Sequence, residues 1–363
     1  MSWLLAFAGF AALIVLHEFG HFLAAKAVGM RVERFFLFFP PKLVSVRRGE
    51  TEYGIGAIPL GGFVKISGMN PDEDLPDEVR TRAYYSQPVW KRVVVIAAGP
   101  FVNLVIAFVI LFALGFGVQE ATSNVGEIER DSPAAAENGL EPGDEIVAVD
   151  GVSGGAQQIS EQLNEHACDG DSSPDGKPVD GCRAATPAEV TVIRDGGERV
   201  LSIRPAYDAE LDRMRLGFAY AYRDANLSVP ESAGWALDRM WFVTERTFDV
   251  ITGIFDAEKR EQISGVVGSY EVTRQSIEFD ARQAIGILGV ISLSLAVINL
   301  FPFLPLDGGH IFWALVEKLR GRPVSMRTME RAGVVGFALV LILFVIGLQN
   351  DIGRLTGEGF DVR

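Results

Sequence analysis

At 363 residues the chain has room for a membrane bundle and at least one aqueous domain. Hydrophobic residues make up 48% of it and the mean hydropathy is +0.22, more than a purely water-soluble chain needs. The net charge of −14, with no basic footprint, excludes a nucleic-acid-binding protein.

Residues 3–28 form the first of four apolar stretches near the ~20 residues that a helix needs to cross the hydrocarbon core. The others are 93–118, 284–303 and 332–348. The first has no basic leader and no clear small-residue cleavage site, so it is expected to be retained rather than removed as a signal peptide. Inside it lies His17-Glu18-Phe19-Gly20-His21. On a helix, HExxH puts two imidazoles at i and i+4 on one face, with a carboxylate beside them. Such a pair can hold a zinc ion while Glu18 takes a proton from a water held there. Burying these groups in an apolar span is costly, which makes a function inside the membrane the default reading. Two of the four histidines in the chain occupy this motif.

Between the first two spans, residues 34–39, 42–48 and 51–58 read as short strands with a turn at Arg48-Gly49-Glu50. Gly61-Gly62-Phe63-Val64-Lys65 continues the region. Phe35, Phe36, Phe38 and Phe39 are too apolar for a free loop. Either they close a small cluster under the bundle, or residues 34–66 form a β-hairpin at the membrane interface, shielded by protein or water. Residues 70–78 form a Pro/Asp/Glu-rich linker. Basic residues gather in 31–92 and 318–331, whereas 120–280 is acidic. The positive-inside rule then puts 31–92 and 318–331 in the cytoplasm, and both termini and 120–280 outside.

The order of strand, short helix, Gly143-Asp144 turn, strand, and hairpin around Asp195-Gly196-Gly197 resembles a PDZ domain. The likeness covers roughly 123–218, with 157–185 as an enlarged insertion. Leu216, Gly217 and Phe218 are either the loop that receives a peptide carboxylate, placed last as in circularly permuted PDZ domains, or an ordinary strand. Cys168 and Cys182 flank a Gly/Asp/Ser/Pro-rich loop, and their spacing suits a disulfide or two free thiols. Residues 221–283 read as an amphipathic segment with Trp235, Trp241, Phe242 and Phe248. It lies at the membrane interface or packs on the inserted domain.

The third span is interrupted by Pro302, Pro305, Gly308 and Gly309, which free backbone groups and let the chain bend around a cavity. Asp307, in this break, is either a third zinc ligand or the cap of a helix starting near His310. A catalytic zinc takes three protein ligands and keeps a position for water, and Asp307 reaches a depth similar to that of His17. Ligation is therefore favoured, with His310 hydrogen-bonding nearby.

These motifs resemble, in combination, the site-2 protease family of intramembrane zinc metalloproteases, in its bacterial branch with one PDZ domain. Further matches are Gly61-Gly62-Phe63-Val64-Lys65, Gly99-Pro100-Phe101-Val102-Asn103 and Ser264-Gly265-Val266-Val267-Gly268. One departure is the second proline, which the family places two residues after Pro302 and which stands here at Pro305. The resemblance implies a polytopic α-helical membrane protein with four transmembrane helices, a membrane-associated β-hairpin and an inserted mainly-β, circularly permuted PDZ domain. The expected divisions are 1–118 (two helices and the hairpin), 119–220 (PDZ), 221–283 (interfacial segment) and 284–363 (two helices).

It also implies one zinc per chain on His17, His21 and Asp307, and Glu18 as the general base that later protonates the leaving amine. Asn299, Pro302 and, from span two, Asn103 would shape the substrate site. The implied substrate is a single-pass membrane protein, such as an anti-sigma factor or signal-peptide remnant, already shortened by a site-1-type protease. The PDZ domain would filter unshortened substrates, and the hairpin would hold the cut segment as an added strand. The setting implied is the lipid of the bacterial inner membrane, with no nucleic-acid partner. A rival from another class is a PDZ-bearing scaffold that binds peptides without cutting them, against which the intact His17, Glu18, His21 and Asp307 weigh.

Overall fold

The computed structural model describes residues 1–70, 73–168, 178–209, 211–253, 256, 259–260 and 263–357. Residues 71–72 of the expected linker and 169–177 of the expected insertion lie outside the described residues. The chain forms two compact units, one of Met1–Phe116 with Ser228–Arg363 and one of Gly117–Leu227. In chain order the first unit opens with α1 (Ser2–Ala27), β1 (Val32–Arg48), β2 (Thr51–Ile66), α2 (Asp77–Arg80) and α3 (Val89–Gly115). The second unit carries β3 (Gln119–Ile128), β4 (Glu145–Val149), β5 (Val152–Ser153), α4 (Ala156–Leu163), β6 (Ala188–Arg194) and β7 (Gly197–Ile203). It closes with β8 (Ala206–Asp208), β9 (Arg213–Arg215) and β10 (Phe218–Asp224). The first unit resumes with α5 (Val229–Thr252), α6 (Val266–Phe279), α7 (Ala281–Asn299), α8 (Asp307–Arg320) and α9 (Met326–Thr356).

Among the described residues four helices are long and apolar enough to cross a membrane: α1, α3, α7 and α9. As helices they satisfy most of their own backbone, as a lipid-exposed segment must, although Pro100 inside α3 withholds one N–H. The spans run where the apolar stretches predict, with shifted ends. Helix α3 starts at Val89 after Pro88, adding a charged turn that holds Lys91 and Arg92. Helix α7 stops at Asn299, short of the expected 303, and residues 300–306 form the break. Helix α9 begins well before its apolar stretch because Ser325 caps it, accepting from the Thr328 N–H at 3.3 Å.

Small residues set the crossing of α1 and α3. A Cβ at Gly20 would stand 2.5 Å from the Ala98 carbonyl oxygen, so glycine lets the two backbones meet. Helix α9 is held differently. Only 11% of its apolar window is buried, and its fixed points are polar or glycine contacts. Asp351, fully buried, accepts from the N–H groups of Gly265 (3.0 Å) and Gly268 (2.8 Å) at the start of α6. Gly347 lies against Gly265, and Gly336 against the Leu304 carbonyl in the break.

The region between α1 and α3 is two long irregular strands rather than three short ones. Residues 32–37 of β1 pair antiparallel with 62–66 of β2, and 42–48 pair antiparallel with 51–56. Residues 34–37 also face 52–55, so their second edge is filled as well. Pro40 and Pro41, which cannot donate to a ladder, fall where the pairing of β1 changes register. The Gly49-Glu50 turn is tied to the end of α1 by Lys26, 2.5 Å from Glu50, and by a bidentate bond from Arg82 at 2.8 and 2.9 Å. These partners, Arg82 first, hold the Glu50 carboxyl down to about 2.

The second unit is a sheet in the order β10-β3-β4-β6-β7, with β5 on β4 and a separate β8-β9 ribbon. Val125, Ile146, Val149, Val190, Val192 and Leu216 build its core with Ile159 and Leu163 of α4. Asp195 and Gly196 take positive φ at the tip of the β6-β7 hairpin, as a two-residue turn of this hand requires. Buried Asp144 receives two bonds of 2.7 Å from Arg194, which keep its carboxyl below the usual range. Cys168 and Cys182 are disulfide-bonded. The unit extends past the expected 220 because β10 pairs along β3 as far as Asp224 opposite Gln119. Helix α5, opened by a Ser228–Glu231 capping box, packs on α3 and α7 and leaves Leu237, Trp241, Phe242 and Phe248 exposed.

A candidate metal centre in the membrane helices

His17 and His21 lie one turn apart on α1, both buried, with their Nε2 atoms 3.3 Å from each other. Asp307 opens α8 after the break, and its Oδ2 stands 3.2 Å from His17 Nε2 and 3.4 Å from His21 Nε2. The N-cap position belongs to Leu306, so Asp307 is not the cap; its carboxylate is turned to the histidines. Gly308 and Gly309 make this possible: a Cβ at Gly308 would overlap the Leu300 carbonyl, and one at Gly309 would meet the backbone of Phe303. The first turn of α8 is thereby pressed against the break.

These three atoms fit a metal. Ligands at about 2.0–2.1 Å from a tetrahedral centre lie roughly 3.3–3.4 Å apart, close to the observed separations. Among the described residues this is the trio of potential ligands that converges within 4.8 Å. Asp307 Oδ2 is buried without an acceptable hydrogen bond, as expected of an atom whose partner is a cation. His21 Nδ1 is 2.8 Å from the Val95 carbonyl of α3, an acceptor that fixes its proton there and leaves Nε2 free to ligate.

Glu18 faces the same space from the next position of α1, its Cγ 3.3 Å from where a Gly62 Cβ would stand. A cavity of about 500 Å³ spreads before it, walled by His17, Asp307, Phe63, Asn299, Pro305 and His310 among others. Asn299 is on that wall. Pro302 is exposed and absent from the wall, and Pro305 takes that place. His310 lines the cavity without joining the ligand trio. Asn103 is also not where the sequence suggests. It is fully buried, off the cavity wall, with its side-chain nitrogen 3.2 Å from His17 Nδ1. Leu216, Gly217 and Phe218 lie in the second unit, where Leu216 is buried, Gly217 takes φ +79° and Phe218 opens β10.

Two contributors receive no role from the sequence. Gly99 lies against both imidazoles, and any Cβ there would overlap His21 Nε2. The glycine is the room in which the ligands sit. Arg92 of α3 forms a bidentate pair with Glu317 of α8 at 2.6 and 3.1 Å, with the arginine 9% exposed. This strut joins the helix behind the histidines to the one that starts with Asp307. Removing one partner of a buried pair costs about 3–5 kcal/mol, less where one group is partly wet, as Glu317 is. Arg92→Ala is therefore expected to lower the thermal midpoint of the solubilised protein and to speed zinc loss to a chelator. An unchanged midpoint and rate would remove the strut from the site.

The sequence profile described as Peptidase family M50 matches residues 5–343. A relative from Nostoc sp. is 33% identical over 372 residues, covering 99% of this chain and 98% of its own. One from Agrobacterium fabrum is 30% identical over 378 residues, covering 95% and 94%. One from Clostridium perfringens is 30% identical over 361 residues, covering 97% and 98%. All three are named as zinc metalloproteases.

Proposed function

The chain belongs to peptidase family M50 and is a membrane zinc metallopeptidase of the site-2 protease type; from that premise we propose that it cuts single-pass membrane proteins after another protease has trimmed their ectodomains. The observation that carries this reading is the meeting of His17, His21 and Asp307 beside Glu18, on the wall of a cavity among apolar helices. In it, His17, His21 and Asp307 hold the metal. Zinc bound there would polarise the scissile carbonyl and acidify a water. Glu18 would take a proton from the attacking water and return it to the leaving amine. Asn299 and Pro305 bound the space beside the scissile bond.

A helical substrate hides its amides, so it must unwind before attack. Gly61, Gly62, Phe63, Val64 and Ile66 of β2 line the cavity, and residues 62–66 pair with β1. An unwound segment would lie along this strand by main-chain bonds, as in strand addition. The second unit supports a permuted PDZ reading. Strand β10 ends the sheet, Gly217 bends the chain just before it, and α4 shares a core with Leu216. It would admit a trimmed substrate's new C-terminus and exclude an intact ectodomain. The charge asymmetry supports a topology with this unit and both termini outside the inner membrane and the site toward the cytoplasm.

The test is co-expression with a tagged single-pass protein, either with its ectodomain intact or trimmed. Cleavage of the trimmed form alone, lost in Asp307→Ala, is expected. If neither form is cut while the second unit still binds peptides, the chain is a scaffold and the substrate reading fails.

A further inference from the structure

We propose that Asn103 is a positioning residue for the metal: its side-chain carbonyl accepts the Nδ1 proton of His17 and so presents Nε2, unprotonated, to the ion. The inference rests on the metallopeptidase reading of this site. A neutral imidazole carries one proton, and the nitrogen that ligates is the one without it. His17 Nε2 faces Asp307 Oδ2 and His21 Nε2, so ligation requires the proton on Nδ1. A buried N–H must find an acceptor or its desolvation goes uncompensated. His21 solves this with a main-chain carbonyl, that of Val95. At His17 the group in reach is the Asn103 amide, 3.2 Å away and itself fully buried.

An amide offers a donor and an acceptor at nearly the same place, and the hydrogen-bond network decides which faces where. With its nitrogen toward His17, the Asn103 Oδ1 is buried and meets no donor. A half-turn of the amide sets that oxygen on Nδ1. The position of the residue is fixed independently, because Ser292 Oγ of α7 donates to the Asn103 main-chain carbonyl at 3.0 Å. Asn103 stands behind the ligand, away from the cavity wall, so its effect passes through His17 and not through the substrate.

Two replacements of similar size separate the roles. Asn103→Asp keeps the acceptor, and Asn103→Leu removes it. With the full chain solubilised in detergent, the zinc dissociation constant is measured by chelator competition and the ligand set by the absorption bands of the cobalt-loaded protein. The leucine variant is expected to bind zinc about 10–100-fold more weakly with altered cobalt bands, while the aspartate variant stays near wild type. Wild-type affinity in Asn103→Leu overturns the proposal. So does an equal loss in both variants, because an acceptor alone would then not suffice. If the leucine variant does not fold, Asn103→Ala, which adds no bulk, carries the same comparison. His17→Ala is the reference: if it retains zinc, the metal-site reading itself fails, whatever Asn103 does.

Discussion

Glu18→Gln is expected to leave zinc bound and to slow cleavage by about 10²–10⁴-fold, the usual contribution of a positioned general acid–base. The amide has the shape of the carboxylate but cannot take up a proton. Glu18 is outside the ligand trio, so metal content should match wild type, whereas His21→Ala should lose both metal and activity. Single-turnover cleavage in detergent with parallel zinc analysis separates the two. Near-wild-type turnover in Glu18→Gln would mean that some other group on the cavity wall moves the proton, with His310 the first to examine.

Gly99→Ala makes a sharper demand on the geometry, because two effects pull in opposite directions. Inside a helix, alanine in place of glycine ordinarily stabilises by about 1 kcal/mol. Here the added methyl would overlap His21 Nε2 and crowd the His17 ring. Overpacking costs about 1–3 kcal/mol, and if the displaced imidazoles absorb all of it, zinc binding weakens roughly 5–150-fold. The expected result is lower zinc affinity, measured by chelator competition, with the metal-free protein no less stable. A variant that melts higher and keeps its zinc would show that the rings do not sit against α3 as described.

These cases also show which parts of the site could be read beforehand. HExxH in an apolar stretch announces two imidazoles beside a carboxylate, because helical periodicity alone puts His17 and His21 on one face. Asp307 was legible from the break in the third span, since prolines and glycines in a membrane helix signal irregular backbone around a cavity. Gly99 and Asn103 were legible only as part of a matched motif. Their work depends on where α3 crosses α1, which no local pattern encodes. Pro302 and Pro305 could not be ranked for the same reason: both interrupt the helix, and only the path of residues 300–306 brings Pro305 to the wall. In the hairpin, alternation suggested three short strands, but 34–37 pair on both edges, which joins distant segments of β2 to one stretch of β1.

The exposed flank of α9 has its own consequence. Lipid tails are as apolar as leucine, so the hydrophobic surface of this helix cannot tell one rotation about its axis from another. That choice falls to Gly336 at the Leu304 carbonyl and to Asp351 in the amides of Gly265 and Gly268, about 22 Å apart at 1.5 Å per residue. The fourth helix is addressed at two points along its length, like a beam resting on bearings. One bearing is the same loop that delivers Asp307, so the seating of a helix with no ligand of its own is mechanically continuous with the metal centre.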